Sequence, residues 1–283
     1  MLRIAIQSKG RLYEESMALL EEAGIKIPGG KRTLLVPARN FPVEVLFLRD
    51  DDIPESVASG VADVGIVGLN EVMEKRCPVG ILKKLGFGKC RLSLAIPQDI
   101  DYQDRNWFSG KKIATSYPGI LSDYLHKNGI VSDIHVITGS VEIAPGIRLA
   151  DAIFDIVSSG STLVSNRLKE VETVVESEAV LIGTDSISPE KRGILDELLF
   201  RFDSVQAADD KKYILMNVPQ KKLNDVLSVL PGIKSPTVMP LADKEWCSVH
   251  TVLDEKCFWQ IINKLKSVGA EGILALNIEK MVL

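Results

Sequence analysis

Apolar and polar positions follow one another along this chain in two rhythms. Short apolar runs that open onto glycine, serine or acidic residues predict strands, and stretches with apolar residues three and four apart predict helices. Leu2–Gln7 is the first such run, and a polar loop, Ser8-Lys9-Gly10-Arg11, closes it. Residues 12–23 have helical spacing, and Gly24 is a fitting stop. Val43–Leu48, Val64–Gly68, 92–96, Lys112–Thr115, 134–137 and Ala152–Val157 predict strands, and 54–59 and 121–128 predict helices. Strands alternating with helices imply parallel sheets, whose ligands sit at the carboxyl ends of the strands.

After about residue 205 the rhythm changes. Strand patterns at 212–218, 237–241, 246–253 and 272–278 enclose helical patterns at 223–230 and 255–268. That order, β-α-β-β-α-β, predicts a ferredoxin-like domain. Earlier in the chain, two short segments echo each other: Ala62-Asp63 precedes one buried strand and Ala150-Asp151 another. Two similar lobes facing a cleft would leave such an echo, and clefts are where small molecules bind.

Composition narrows the possibilities. Of 283 residues, 46% are hydrophobic and 25% charged, and the net charge is -4. Without a basic tract, nothing argues for a nucleic-acid or membrane surface. A protein of this balance that binds phosphates must do so locally, with loop N–H groups and a few placed cations. The N-terminal residues read as a strand rather than a signal peptide, and no run nears the roughly 18 apolar residues of a membrane span. The expectation is a cytoplasmic protein. Cys77, Cys90, Cys247 and Cys257 form no CxxC pair, so reduced thiols are expected.

The richest chemistry lies between Asp151 and Leu163. Asp151 and Asp155 are four apart, and on a strand they share a face. Carboxylates among apolar neighbours need partners, and ribose hydroxyls or a magnesium ion would serve. Ser158-Ser159-Gly160-Ser161-Thr162 then offers successive N–H groups, hydroxyls and a helix start, which together make an anion cradle. The bland alternative is a capped helix after a strand with one solvated aspartate. Lys9 and Arg11 flank Gly10 and could hold a pyrophosphate or triphosphate, although a solvated basic loop is common. Arg49 precedes Asp50, Asp51 and Asp52 at another strand end, and Tyr117 and Glu142 stand at two more. His126, His135 and His250 have no recognisable nucleophile beside them and read as structural.

Taken together, Lys9-Gly10-Arg11-Leu12, Arg49 to Pro54, Asp63 to Gly68, Cys90 to Ala95, Ile113 to Pro118, Gly139-Ser140-Val141-Glu142 and the Asp151 to Leu163 loop resemble ATP phosphoribosyltransferase of the long, histidine-regulated form. Pro231 to Thr237 and the chain's last residues continue the likeness. It implies an α/β fold with a two-lobed, periplasmic-binding-protein-like catalytic part and a C-terminal ferredoxin-like (ACT-like) domain. The implied boundaries are residues 1–93 with 184–205 for the first lobe, 94–183 for the second, and 206–283 for a histidine-binding domain.

The resemblance further implies transfer of the phosphoribosyl group of phosphoribosyl pyrophosphate to N1 of ATP, with Mg²⁺ held largely through substrate phosphates and its protein ligands unknown. Lys9, Arg11, Arg49 and Asp155 would be catalytic. Gly10, Asp50, Tyr117, Glu142, Asp151, Ser158, Ser159, Gly160, Ser161 and Thr162 would bind substrate. Ser235, Thr237 and Gly272 would meet histidine. Histidine and AMP would inhibit, and the chain would form dimers and hexamers without a separate regulatory subunit. A two-lobed small-molecule binder, or a phosphoribosyltransferase for another base, stand as alternatives. The latter typically place adjacent acids before a Thr-Gly-Gly-Thr-like turn, where this chain has acids four apart and Ser-Ser-Gly-Ser-Thr.

Overall fold

The computed structural model describes residues 1–28, 33–231 and 235–283. Gly232, Ile233 and Lys234, within the Pro231 to Thr237 stretch, lie outside the described residues. The chain divides into two compact units, Met1–Asp196 and Glu197–Leu283.

The first unit contains two sheets. In order along the chain its elements are β1 (Leu2–Gln7), α1 (Arg11–Glu22), β2 (Leu35–Pro37), β3 (Val43–Leu48), α2 (Ile53–Ala58), β4 (Val64–Gly68), α3 (Leu69–Lys75), β5 (Gly80–Lys84), β6 (Cys90–Pro97), β7 (Lys112–Thr115), α4 (Pro118–Lys127), β8 (Asp133–Val136), β9 (Ala152–Val157), α5 (Ser161–Ser165), β10 (Leu168–Ser177) and β11 (Ala179–Gly183). The sheet of lobe I runs β2-β3-β1-β4-β11-β5, and that of lobe II β10-β6-β9-β7-β8. The chain thus passes between lobes twice, after β5 and after β10. Sheet membership puts Cys90–Pro97 wholly in lobe II and Ala179–Gly183 in lobe I, a few residues from the expected limits of 93 and 184.

The alternating pattern predicts parallel sheets, and neither sheet is purely parallel. β1 is parallel to β3 and β4, and β7 to β8 and β9. The strands next to the crossings reverse: β11 is antiparallel to β4 and β5, and β6 to β9 and β10. A chain that leaves a lobe and returns without a crossover helix must run back along its neighbours. The parallel cores decide the function, since they bring the ends of β1, β3 and β4 to one edge and those of β7, β8 and β9 to another.

Apolar packing on the sheet faces holds these strands. Ala5, Ile53, Val57, Val67 and Ile182 share one cluster in lobe I. In lobe II, Leu92, Phe108, Ile113, Leu121 and Phe154 pack on one side, and Ala95, Val141, Ile153 and Leu163 on the other. A strand covered on both faces loses its alternation, which is why β9 reads as a nearly continuous apolar run.

The division between the units falls within α6 (Pro189–Ala208), a helix to which the apolar pattern assigned no element. The second unit then follows the expected order: β12 (Lys211–Pro219), α7 (Leu223–Val229), β13 (Thr237–Pro240), β14 (Trp246–Asp254), α8 (Glu255–Ser267) and β15 (Glu271–Asn277). Its antiparallel sheet has the order β13-β14-β12-β15, the ferredoxin-like arrangement. Ile214, Met216 and Val218 point from β12 toward Val226 and Leu265 of the helices, while Tyr213, Leu274 and Leu276 are exposed.

Candidate active site

Lobe I contributes the end of β1. Ser8, Lys9 and Gly10 form an exposed loop, and Gly10, at φ 90°, turns the chain into α1. No side chain caps that helix, so its first amides stay available to an anion. Arg11 pairs with Glu15 at 3.1 Å and extends its Nη1 to 3.4 Å from Ser158 Oγ across the cleft. Lys9 is exposed beside it.

Lobe II contributes the end of β9 and the loop after it. Gly160 has φ 79°, a conformation open to glycine, and α5 starts at Ser161 with no side-chain cap. Ser159 and Ser161 hydroxyls lie 3.0 Å apart. Asp155, Glu142, Ser158, Ser159, Gly160 and Thr162 line one pocket of about 280 Å³. Burial pushes the Asp155 carboxyl up to about 6, Glu142 pushes the same way, and the Ile156 N–H opposes them. An acid held in that state favours a partner that donates hydrogen bonds to it, as a sugar hydroxyl does.

Asp151 is elsewhere. It precedes β9, and its carboxylate accepts the Lys112 N–H at 2.9 Å while its own N–H donates to Lys112 O. Asp63 does the same before β4: it accepts the Arg3 N–H at 2.8 Å and donates to Arg3 O. The internal echo is therefore a strand-start clamp used once in each lobe. Sharing a face did not bring Asp151 to Asp155's end of the strand, because four residues of extended chain span about 13 Å.

Tyr117, expected to bind substrate, is engaged within the fold. It is buried, its hydroxyl donates to Glu71 Oε1 at 2.8 Å, and Asn70 Nδ2 donates to it at 3.3 Å. Burial, and then Glu71, drives its phenol far above the usual range, and burial raises Glu71 in turn. Arg49 is exposed and pairs with Asp51 at 3.2 Å, with Lys75 on the other side of Asp51. Asp50 starts the turn after β3 and adds negative charge near Glu71 and Tyr117.

The Cys90 to Ala95 motif contains one group to which the sequence reading gave no role. Arg91 of β6 grips Glu170 of β10 with two hydrogen bonds and donates a third, 3.2 Å long, to Ser158 O. It anchors the loop from behind. Arg91 and Glu170 are 79 residues apart, so no local spacing could have revealed the pair.

In the second unit Ser235 and Thr237 line a pocket of about 410 Å³ with Tyr213, His250, Val282 and Leu283. Gly272 is not in it. Its φ of 54° falls where the β12–β15 register shifts, beside Asn217. His250 is satisfied on both nitrogens, by Tyr213 and Ser248 hydroxyls. Among the described residues no group of three or more His, Cys, Asp or Glu side chains is arranged to hold a metal ion.

The family model described as HisG, ATP phosphoribosyltransferase, matches residues 49–204, and that described as HisG, C-terminal domain, matches 208–280. The chain belongs to the ATP phosphoribosyltransferase family. Proteins of that name from Bacteroides fragilis and Phocaeicola vulgatus are each 70% identical over the full length of both chains. The one from Cytophaga hutchinsonii is 57% identical over 99% of this chain and 98% of its own. Among solved structures, the ATP phosphoribosyl transferase (HisG:HisZ) complex of Thermotoga maritima matches with TM-score 0.61 at 27% identity, over 71% of this chain and 98% of that one. The substrate-binding protein of an amino-acid ABC transporter, at TM-score 0.50 and 11% identity over 73% of this chain and 93% of that one, shares the two-lobed fold. The chain is thus a transferase that joins ATP and phosphoribosyl pyrophosphate in the first step of histidine biosynthesis, in the form that carries the C-terminal domain.

Proposed function

We propose that the reaction takes place where α1 of lobe I faces the loop after β9 of lobe II. The reach of Arg11 to Ser158, beside the pocket that holds Asp155, carries this reading. The 5-phosphate of phosphoribosyl pyrophosphate rests on the amides and hydroxyls of Ser158–Thr162. Asp155 accepts hydrogen bonds from the ribose hydroxyls. Lys9 and Arg11, with the open amides of α1, face the pyrophosphate. Adenine N1 of ATP attacks ribose C1, the C1–O bond to pyrophosphate breaks, and the anomeric centre inverts. Positive charge grows on the ring and negative charge on the leaving group, so positioning and charge neutralisation do the catalysis. Glu142 lines the same pocket, and Arg49 and Asp50 complete the substrate-binding set.

Mg²⁺ carried on the substrate phosphates would lie near Asp155 and Glu142 of the pocket and would neutralise pyrophosphate charge. AMP, sharing ATP's adenine, competes for this cleft. Histidine binds the second unit at Ser235 and Thr237 and inhibits, so the chain needs no separate regulatory subunit. It works in the cytoplasm as dimers and hexamers.

Incubating the purified protein with phosphoribosyl pyrophosphate, Mg²⁺ and either ATP, orotate or a free purine, then measuring absorbance and released pyrophosphate, tests the chemistry. Turnover with ATP alone is expected, and Arg11→Ala is expected to slow it. A normal rate in Arg11→Ala would remove Arg11 and the α1 terminus from the site.

A further inference from the structure

Helix α4 begins without help from its own residues. Its N-cap is Tyr117, whose side chain makes no capping bond, and Pro118 follows. The carboxylate that takes its first amides comes from the other lobe: Glu74, on α3, accepts the Gly119 N–H at 2.8 Å on Oε1 and the Ile120 N–H at 2.9 Å on Oε2. The fit is tight at 119. A Cβ there would lie 3.0 Å from Glu74 Oε1 and 3.2 Å from its Cδ and Oε2, so the carboxylate would have to shift by a few tenths of an ångström against the bonds it accepts.

Two further ties run alongside. Arg76, just past α3, donates to Gly119 O and to Asp123. At the other end of α3, Asn70 and Glu71 hold the Tyr117 hydroxyl, and Asn70 N and Oδ1 both bond Ser177 Oγ, at the second crossing between the lobes. One face of α3 thus locks the start of α4, and Tyr117 sits between that lock and the cleft, close enough for Asp155 and Asp50 to act on its phenol.

We infer that Glu74 is a positioning residue that sets the angle between lobes I and II, by capping a helix of one from a helix of the other. This rests on the reading of the cleft as the substrate site. Loosening the cap lowers the fraction of molecules in which the α1 loop and the β9 loop face each other. Both substrates need that arrangement, so their apparent affinities fall together, by the inverse of the competent fraction, while bound substrates still react.

The test uses the full chain and two readouts, calorimetric binding of phosphoribosyl pyrophosphate and steady-state kinetics with both substrates. Glu74→Ala is expected to raise both KM values and the dissociation constant by one common factor of about three- to tenfold, with kcat within about twofold. Gly119→Ala, which keeps Glu74 and suits a helix, is expected to act in the same direction. Added to Glu74→Ala it should do nothing more, because the clash partner is gone. Unchanged KM values and affinity in both single variants, whatever happens to their melting temperatures, would overturn the inference. So would full additivity in the double variant. Failure of the unsubstituted protein to bind phosphoribosyl pyrophosphate would instead bring down the cleft reading, and this inference with it.

Discussion

Asp155 and Asp151 carry the same carboxylate four residues apart, and the fold sets them to opposite tasks. Asp155 is raised to about 6 by burial and by Glu142. A folded-state value above the unfolded one means that protonation favours the fold: the contribution is full below about pH 4 and is lost as pH rises through about 6. At neutral pH the ionised group therefore strains the structure. Asp155→Asn is expected to raise stability at pH 8 by about 1–3 kcal/mol and to cut kcat/KM by about 30- to 1000-fold, a loss of about 2–4 kcal/mol at the transition state. Denaturant melts and initial rates on one preparation would show both, and near-native turnover would take Asp155 out of the site. The unsubstituted enzyme should lose kcat/KM as pH falls below about 6, as the carboxylate that accepts the ribose hydroxyls disappears. Asp151 only clamps the start of β7. Asp151→Ala should cost about 1 kcal/mol of stability and leave the rate within about twofold. A large rate loss there would restore it to the site.

Among the elements, the antiparallel pair β6 and β10 supports the loop that the parallel strand β9 delivers. Arg91, on β6, holds Glu170 well below the usual carboxylate range, at about 2, with Ser93 and Thr173 adding hydroxyls. This contribution to the fold is present above the ordinary carboxylate value and fades as pH falls through about 2. Glu170→Gln weakens the grip, and the third Arg91 bond, to Ser158 O, loosens with it. A severalfold rise in KM for phosphoribosyl pyrophosphate with KM for ATP unchanged is the expected split; equal rises would mean that the pair supports the lobe and not the loop. Legibility followed the same line between local and distant. β1, β3, β4, β7 and β9, and the glycine turns at Gly10 and Gly160, are written as apolar runs ending in small polar residues, and the loop after β9 stood out for that reason. The five-residue run of β11 and the charge-rich β10 carry no period that separates strand from helix. The Asp151 reading failed because alternation reports a face and is silent about which end of the strand a residue occupies. Tyr117 failed because a partner 46 residues away, Glu71, decides what its hydroxyl does.

For the molecule as a whole, the Thermotoga maritima match takes in 98% of its own chain and 71% of this one, so this chain carries residues beyond that match. If the second unit is the histidine sensor, binding there and catalysis in the first unit are linked by one coupling free energy, and linkage works in both directions. A factor by which histidine weakens binding of phosphoribosyl pyrophosphate is the factor by which phosphoribosyl pyrophosphate weakens binding of histidine. Equilibrium titrations of each ligand with and without the other should return the same number, about 5- to 150-fold for a typical coupling. Thr237→Val removes the one hydroxyl that β13 offers to the pocket beside Ser235, Tyr213 and His250. It should weaken histidine binding about tenfold, as for a site left with a lost polar contact, and leave the rate without histidine unchanged. Undiminished histidine affinity in that variant would move the effector away from this pocket. A factor of one in both titrations, with histidine still slowing turnover, would mean that histidine acts on the rate of a step and leaves the binding equilibria alone, since reciprocity binds free energies and not rate constants.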